Sequence, residues 1–510
     1  MKKIVAFLLR HEYLVWALCL CALLRLPSLL EPYWYGDEGI YLTLGNGVRH
    51  GLQLYRDIHD NKPPIIYLMA ALSGTVFWFR FFLLVWNSVA IVAFERLAHR
   101  LLDRNKVAGT TKFIGLSFPK VQYSTIATFL FAILPFFAEG SIANGEIFMI
   151  MPVIVGVYLL WRNSKNSLSV ILAGFSFSLA FLIKVPALFD AFSVGFFFFL
   201  LFEGKSVFAS LKSRLPYLFA FAFLAPILIS FLYYASIGAG KQYVAAAFAQ
   251  NVGYLSSWAT GTHASTNVGS SGLKNRAIVL AVTTVILVLL KNKNGKRLTF
   301  LLLWFAFALF GALLSERPYP HYLIQIIPPV SLLLVFFYRT FKDRKIFRLM
   351  PIFVGFIVLF VSLWTIKFWY YPQIPYYVNY IQFVTKAKSM DDYFSYFDPR
   401  LPTMYRLASY LEAHTTPDEP IFVWGDVPML YALTKRLPPG KYTSSYHIKD
   451  FNGFDETTQA LETKKPKYVI IDTSYEAPYE GLHTFLEHDY IPTYSFTPFA
   501  VYRRTATPTQ

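Results

Sequence analysis

A chain of 510 residues that is 55% hydrophobic, 18% aromatic and only 15% charged is too apolar for an ordinary water-soluble protein, where the charged share is nearer a quarter. Its net charge of +17 does not mark a nucleic-acid binder, because the basic residues are scattered through short loops between apolar runs. Cys19 and Cys21 share the first apolar run and face different directions on a helix, so neither a disulfide framework nor a zinc spacing is present. This is the composition of an integral membrane protein.

Lys2 and Lys3 precede the first apolar run as in a signal peptide, but Arg10, His11 and Glu12 interrupt it and no small-residue cleavage site follows before Leu30. An uncleaved first span is expected, with Arg25 snorkelling to its outer end. After a polar stretch, Pro64 to Phe79 is broken by Ser73 and Gly74 and is expected to lie along the outer surface or dip into it. Further spans are expected from Arg80 to about Leu97, Ile126 to Ala138, Ile147 to Leu160, Leu168 to Ile183 and Ala187 to Leu201. They continue with Pro216 to Ile237, Ala277 to Leu290, Leu298 to Leu314, a segment ending at Tyr338, and Met350 to Tyr370. About eleven spans result, some of them short.

The loops carrying Arg100, Arg104 and Lys106, Lys205, Lys212 and Arg214, or Arg339, Lys342 and Arg344 are basic, and the alternate ones are not. The positive-inside rule therefore places the N-terminus in the cytoplasm, with the loop 31–64 and the tail outside. Residues 1–370 form the expected transmembrane domain, and 371–510 an extracytoplasmic α/β domain. Its expected strands are Ile421 to Trp424, Lys467 to Ile471 and Phe496 to Tyr502; Met404 to His414 and Val427 to Leu433 read as helices. It lacks a GxGxxG or Walker loop. Asp426 and Asp472 stand just past strand ends, where ligands bind in open sheets and where capping aspartates are also common.

The stretch Trp34 to Pro64, WYGDEGIYLTLGNGVRHGLQLYRDIHDNKPP, stands apart from its surroundings. Asp37, Glu38, Asp57, His59, Asp60 and Lys62 crowd into a loop that needed only to turn around. Its residues read either as a site or as a solvated connector. The pattern D-E-x-x-Y, G-x-x-L-Y-R-D and D-N-K-P-P-x-x-Y resembles the first extracytoplasmic loop of GT-C glycosyltransferases. Protein O-mannosyltransferase-like enzymes and lipid A aminoarabinose transferases are the relatives it suggests. The resemblance runs from about Leu24 to Tyr322 and carries the choice towards a site.

It implies a polytopic helical membrane enzyme, mannosyltransferase-like, that moves a sugar from a polyprenyl-phosphate donor to a hydroxyl of a protein, lipid or glycan at the outer membrane face. No nucleic-acid partner is expected. Carried over by position, Asp37 is the general base, Glu38 its companion acid, and Glu146 in ANGEIF the second-loop acid. Lys62, Lys184 in LIKVPA, and Arg317, His321 and Tyr322 in ERPYPHY are the expected donor-phosphate contacts, with Arg80 at the same outer face. Lys62 and Lys184 are expected near a common headgroup. No metal ligands are assigned; a divalent ion stays open, although Asn61 stands where the aminoarabinose enzymes carry a glutamate. The alternative is a transporter or flippase for a lipid-linked glycan, against which stand the absence of a visible repeat and charges lying at span ends.

Overall fold

The structure, a computed structural model, describes residues 12–103, 110–113, 116–119, 121–202, 212–250, 269–314, 318–342, 357, 361 and 372–505. Seven described helices are long and apolar enough to cross a membrane: Glu12–Leu30, Val76–Leu102, Gly145–Asn163, Leu215–Ser236, Gly272–Leu289, Lys291–Ala312 and Pro320–Thr340. Tyr123–Ala138, Ser167–Ile183 and Ala187–Leu201 are shorter apolar helices. Each span expected up to Tyr338 coincides with one of these; the expected span 350–370 falls almost wholly outside the described residues. The chain divides into two compact units, and the polar loop groups with the tail.

The first unit comprises 1–26, 83–230 and 251–372. Asn144 opens the helix Gly145–Asn163 by accepting the Ile147 N–H at 3.2 Å, and Asn166 opens Ser167–Ile183 through the Ser169 N–H at 3.0 Å. Such caps satisfy N–H groups that an apolar helix cannot. Inside this unit the buried Asp190 accepts from Trp304 Nε1 at 2.7 Å and Gln325 Nε2 at 2.6 Å. That carboxylate joins three helical segments, and its bonds answer the cost of burial.

The second unit comprises 27–82, 231–250 and 373–510. Within it the helix Gly36–Arg49 carries Asp37 and Glu38 in its first turn and Arg49 in its last. That placement matches the helix dipole in the absence of a side-chain N-cap. The short helix Ile65–Ser73 starts behind Pro63-Pro64 and stops at Gly74, whose φ of 73° lets its N–H reach the Ala70 carbonyl. It covers the first part of the segment expected between Pro64 and Phe79; the rest of that segment, from Val76, opens the long helix Val76–Leu102.

The tail builds a four-stranded sheet, order β3-β4-β6-β5, from β3 (Ile421–Trp424), β4 (Tyr468–Asp472), β5 (Tyr490–Phe496) and β6 (Phe499–Arg504). A separate hairpin of β1 (Thr110–Phe113) and β2 (Leu116–Pro119) belongs to the first unit. β3 and β4 run parallel, Ile421 opposite Tyr468, while β6 is antiparallel to β4 and β5. Alternate residues feed two cores. Ile421, Val423, Tyr468, Ile470, Phe499 and Val501 pack with the helix Leu401–His414; Phe422, Trp424 and Val469 pack with Leu461, Leu482 and Leu486. The third strand expected from sequence is in fact the end of β5, a turn and β6. Pro492 disguised β5, since proline withholds a ladder donor; the edge of a sheet, where β5 lies, tolerates it.

Candidate active site

The sequence carries its densest charge in the second unit. Asp37, one quarter exposed, is approached by Lys62 Nζ at 3.8 Å and receives the Tyr41 hydroxyl at 3.1 Å. Tyr41 lies one helical turn further on, so the helix itself sets this contact. Lys62 also reaches Asp60 Oδ2 at 3.5 Å and stands 5.1 Å from the centre of the Tyr41 ring. Its backbone is clamped: the Lys62 N–H donates to Tyr67 at 2.9 Å, and the Tyr55 hydroxyl donates to the Lys62 carbonyl at 2.9 Å. Tyr67 in turn donates to Asp60 at 2.8 Å. The lysine thus stands between a partly exposed carboxylate and a fully buried one.

Burial works to raise the Asp60 pKa, but Lys62, His447, the Asn61 N–H and the Tyr67 hydroxyl overcome it and hold the group down at about 2. His447 Nε2 lies 3.4 Å from Asp60 Oδ1. Desolvation dominates at that buried ring and lowers it to about 4, despite the pull of Asp60. The neighbouring His59 is likewise lowered by burial, to about 3. Both imidazoles are therefore neutral near pH 7.

Glu38 differs in kind from its neighbour. Arg80 Nε donates to it at 2.8 Å and Nη2 makes a second bond, a bidentate pair buried on both sides. Arg80 Nη1 donates to Glu31 and to the Ser28 carbonyl, each at 2.8 Å. Glu31 also receives the Trp34 indole at 2.7 Å and the Tyr376 hydroxyl, and burial raises its pKa against the pull of Arg80. The expectation that Arg80 meets a donor phosphate does not match these surroundings, since two carboxylates and a carbonyl already surround the guanidinium. Glu31 and Tyr376 were absent from the expected site.

The first unit gathers Glu146, Lys184, His321 and Tyr322. Lys184 pairs with Glu146 and lies 4.8 Å from the centre of the Tyr322 ring. His321 Nε2 is 3.9 Å from Glu146, while Nδ1 is 2.7 Å from Glu139. Glu139 had not been expected. It sits at φ 58°, the left-handed conformation that ends the short helix Leu134–Ala138. Tyr319 stacks on His321 at 5.5 Å. Lys184 owes its position to an extended backbone, φ −153° and ψ 129°, where the helix Ser167–Ile183 ends before Pro186 starts the next. Arg317 lies outside the described residues. Among the described residues no group of three or more His, Cys, Asp or Glu is placed to share a metal ion.

The strand-end aspartates act as caps. Asp426 accepts from Ser444 Oγ at 3.1 Å and the Tyr446 N–H at 3.2 Å. Asp472 accepts from the Ser474 N–H at 3.0 Å and from Arg400 at 2.6 Å.

The chain combines long apolar helices with a small C-terminal sheet. Among solved structures it is similar to ArnT from Cupriavidus metallidurans bound to undecaprenyl phosphate, at 11% identity and TM-score 0.56, over 98% of this chain and 99% of that one. It is also similar to the Archaeoglobus fulgidus oligosaccharyltransferase tethered with an acceptor peptide, at 14% identity and TM-score 0.48, over 98% and 74% of the two chains. The family model described as the putative competence-induced protein Ccs4 C-terminal domain matches residues 404–505. No curated protein matches the chain.

Proposed function

We propose that this protein transfers a sugar from a polyprenyl-phosphate carrier to a hydroxyl acceptor, with Asp37 as general base. The observation that carries the reading is the contrast within the Asp37-Glu38 pair: Glu38 is locked to Arg80, whereas Asp37 keeps solvent access beside Lys62. The acceptor oxygen attacks the anomeric carbon as its proton passes to Asp37, and the bond from that carbon to the phosphate oxygen breaks with its electron pair. A single displacement inverts the centre. The leaving phosphate needs no acid, only a cation to meet its charge, and Lys62 supplies it. A phosphate that takes up Lys62 also relieves Asp37 of its cationic neighbour, which favours proton uptake. Lys184 and His321, with Tyr322 beneath the lysine, are proposed as anion contacts of the first unit, poised by Glu146 and Glu139.

Lys62→Ala is expected to weaken binding of a polyprenyl-phosphate sugar by about tenfold or more, the scale of one lost charge-assisted contact, with Lys62→Arg recovering part of it. Unchanged affinity in both variants reduces Lys62 to a surface charge. The site and the tail are proposed to face away from the cytoplasm, on the Lys/Arg bias of the loops. A cysteine replacing the exposed Glu487 should then react with a membrane-impermeant thiol reagent in intact cells; reaction only after lysis reverses the orientation.

A further inference from the structure

We propose that His447, contributed by the C-terminal tail, is a positioning residue for Lys62: it fixes the far side of Asp60, and Asp60 holds the lysine that meets the donor phosphate. The inference rests on the proposed role of Lys62. Asp60 uses one oxygen for Tyr67 and Lys62, at 2.8 and 3.5 Å; the other makes no hydrogen bond among the described residues and lies 3.4 Å from His447 Nε2, a polar contact that a small shift of either side chain turns into a bond. A neutral imidazole beside a carboxylate keeps its proton on the nitrogen that faces the anion, because the alternative sets a lone pair against negative charge. Nδ1 of His447 has no hydrogen-bond partner among the described residues, so nothing there competes for the proton.

The tail is built to hold this ring in place. Asp426, at the end of β3, accepts from Ser444 and from the Tyr446 N–H, and Ser445 Oγ accepts the Gly425 N–H at 2.6 Å. These bonds orient the turn Ser445–Asp450 that carries His447. Phe451, at 5.4 Å, and His59, at 6.3 Å between ring centres, flank the imidazole. The His59 N–H donates to the Lys441 carbonyl at 2.8 Å, and Asn46 Nδ2 donates to the Lys435 carbonyl at 3.1 Å. Gly39, next to the Asp37-Glu38 pair, lies so close to Met429 that a Cβ there would come within 2.7 Å of its backbone nitrogen. The tail therefore contacts the very segments that carry Asp37 and Lys62, all within one compact unit. If Asp60 swings away, the ammonium of Lys62 is freer to close on Asp37, 3.8 Å away, which competes with the phosphate and burdens the base.

The test is binding of a sugar-free polyprenyl phosphate to the purified full chain, followed by calorimetry, with folding checked by thermal unfolding. His447→Leu should weaken binding about tenfold, Lys62→Ala at least as much, and the double variant no more than Lys62→Ala alone, because residues acting through one contact are not additive. His447→Gln, which can still present an N–H to Asp60, should retain most of the affinity. Should His447→Leu fail to fold, the shorter His447→Asn replaces it in the same comparison. Wild-type affinity in His447→Leu, or losses that multiply in the double variant, overturns the proposal while leaving the role of Lys62 intact. Wild-type affinity in Lys62→Ala removes that role first, and the proposal with it.

Discussion

Asp37→Asn is expected to give a folded protein that binds donor and transfers almost nothing, with a rate lower by about 10² to 10⁴, the usual contribution of a general base. Asparagine keeps the size of the side chain and an oxygen to accept from Tyr41, whose hydroxyl lies 3.1 Å from Asp37. It cannot take a proton. Because Lys62 keeps Asp60 at 3.5 Å, donor affinity should hold. Single-turnover transfer read beside donor binding separates the two effects. Transfer at the wild-type rate moves the base elsewhere. Glu146 is the next acid to replace, since both oxygens of Glu38 are bonded to Arg80.

Arg80→Ala is expected to be the most damaging substitution for stability. It strips the cation from Glu38 and Glu31 at once, each with an oxygen 2.8 Å or closer in the folded protein. Breaking a buried pair from one side costs about 3–5 kcal/mol, because the partner is left buried and unpaired. Arg80→Leu combined with Glu38→Leu should cost less than Arg80→Ala, since Glu31 retains Trp34 and Tyr376 as donors. Urea unfolding in detergent measures both. A double variant at least as unstable as the single would show that the pair itself stabilises the fold.

The sequence shows its chemistry more readily than its geometry. Hydropathy located the described apolar helices because length and apolarity are what crossing a bilayer demands. The Asp37-Glu38 pair was legible as chemistry, yet nothing local distinguishes its members. What separates them is Arg80, on another helix, and Glu31, which reads as an ordinary loop acid. Asp60 and Tyr67 sit inside the D-N-K-P-P-x-x-Y pattern and were visible as residue types, but the clamp they form depends on the fold of the loop. His447 could not be found from sequence, since its partner lies at the opposite end of the chain and no local pattern marks it. Glu139 left a fainter trace, a glutamate just before a glycine at a span end. Within the tail, alternation identified β3 and β4, while Pro492 hid β5 for a sound physical reason.

The most direct measurement is to incubate the purified protein in lipid with polyprenyl-phosphate sugars and a hydroxyl-bearing acceptor, and to quantify free polyprenyl phosphate. A transferase releases one carrier phosphate for each sugar moved, and Asp37→Asn releases almost none. Translocation of the intact lipid-linked sugar across the bilayer, with no carrier phosphate released by the wild-type chain, would contradict the account and make the protein a transporter.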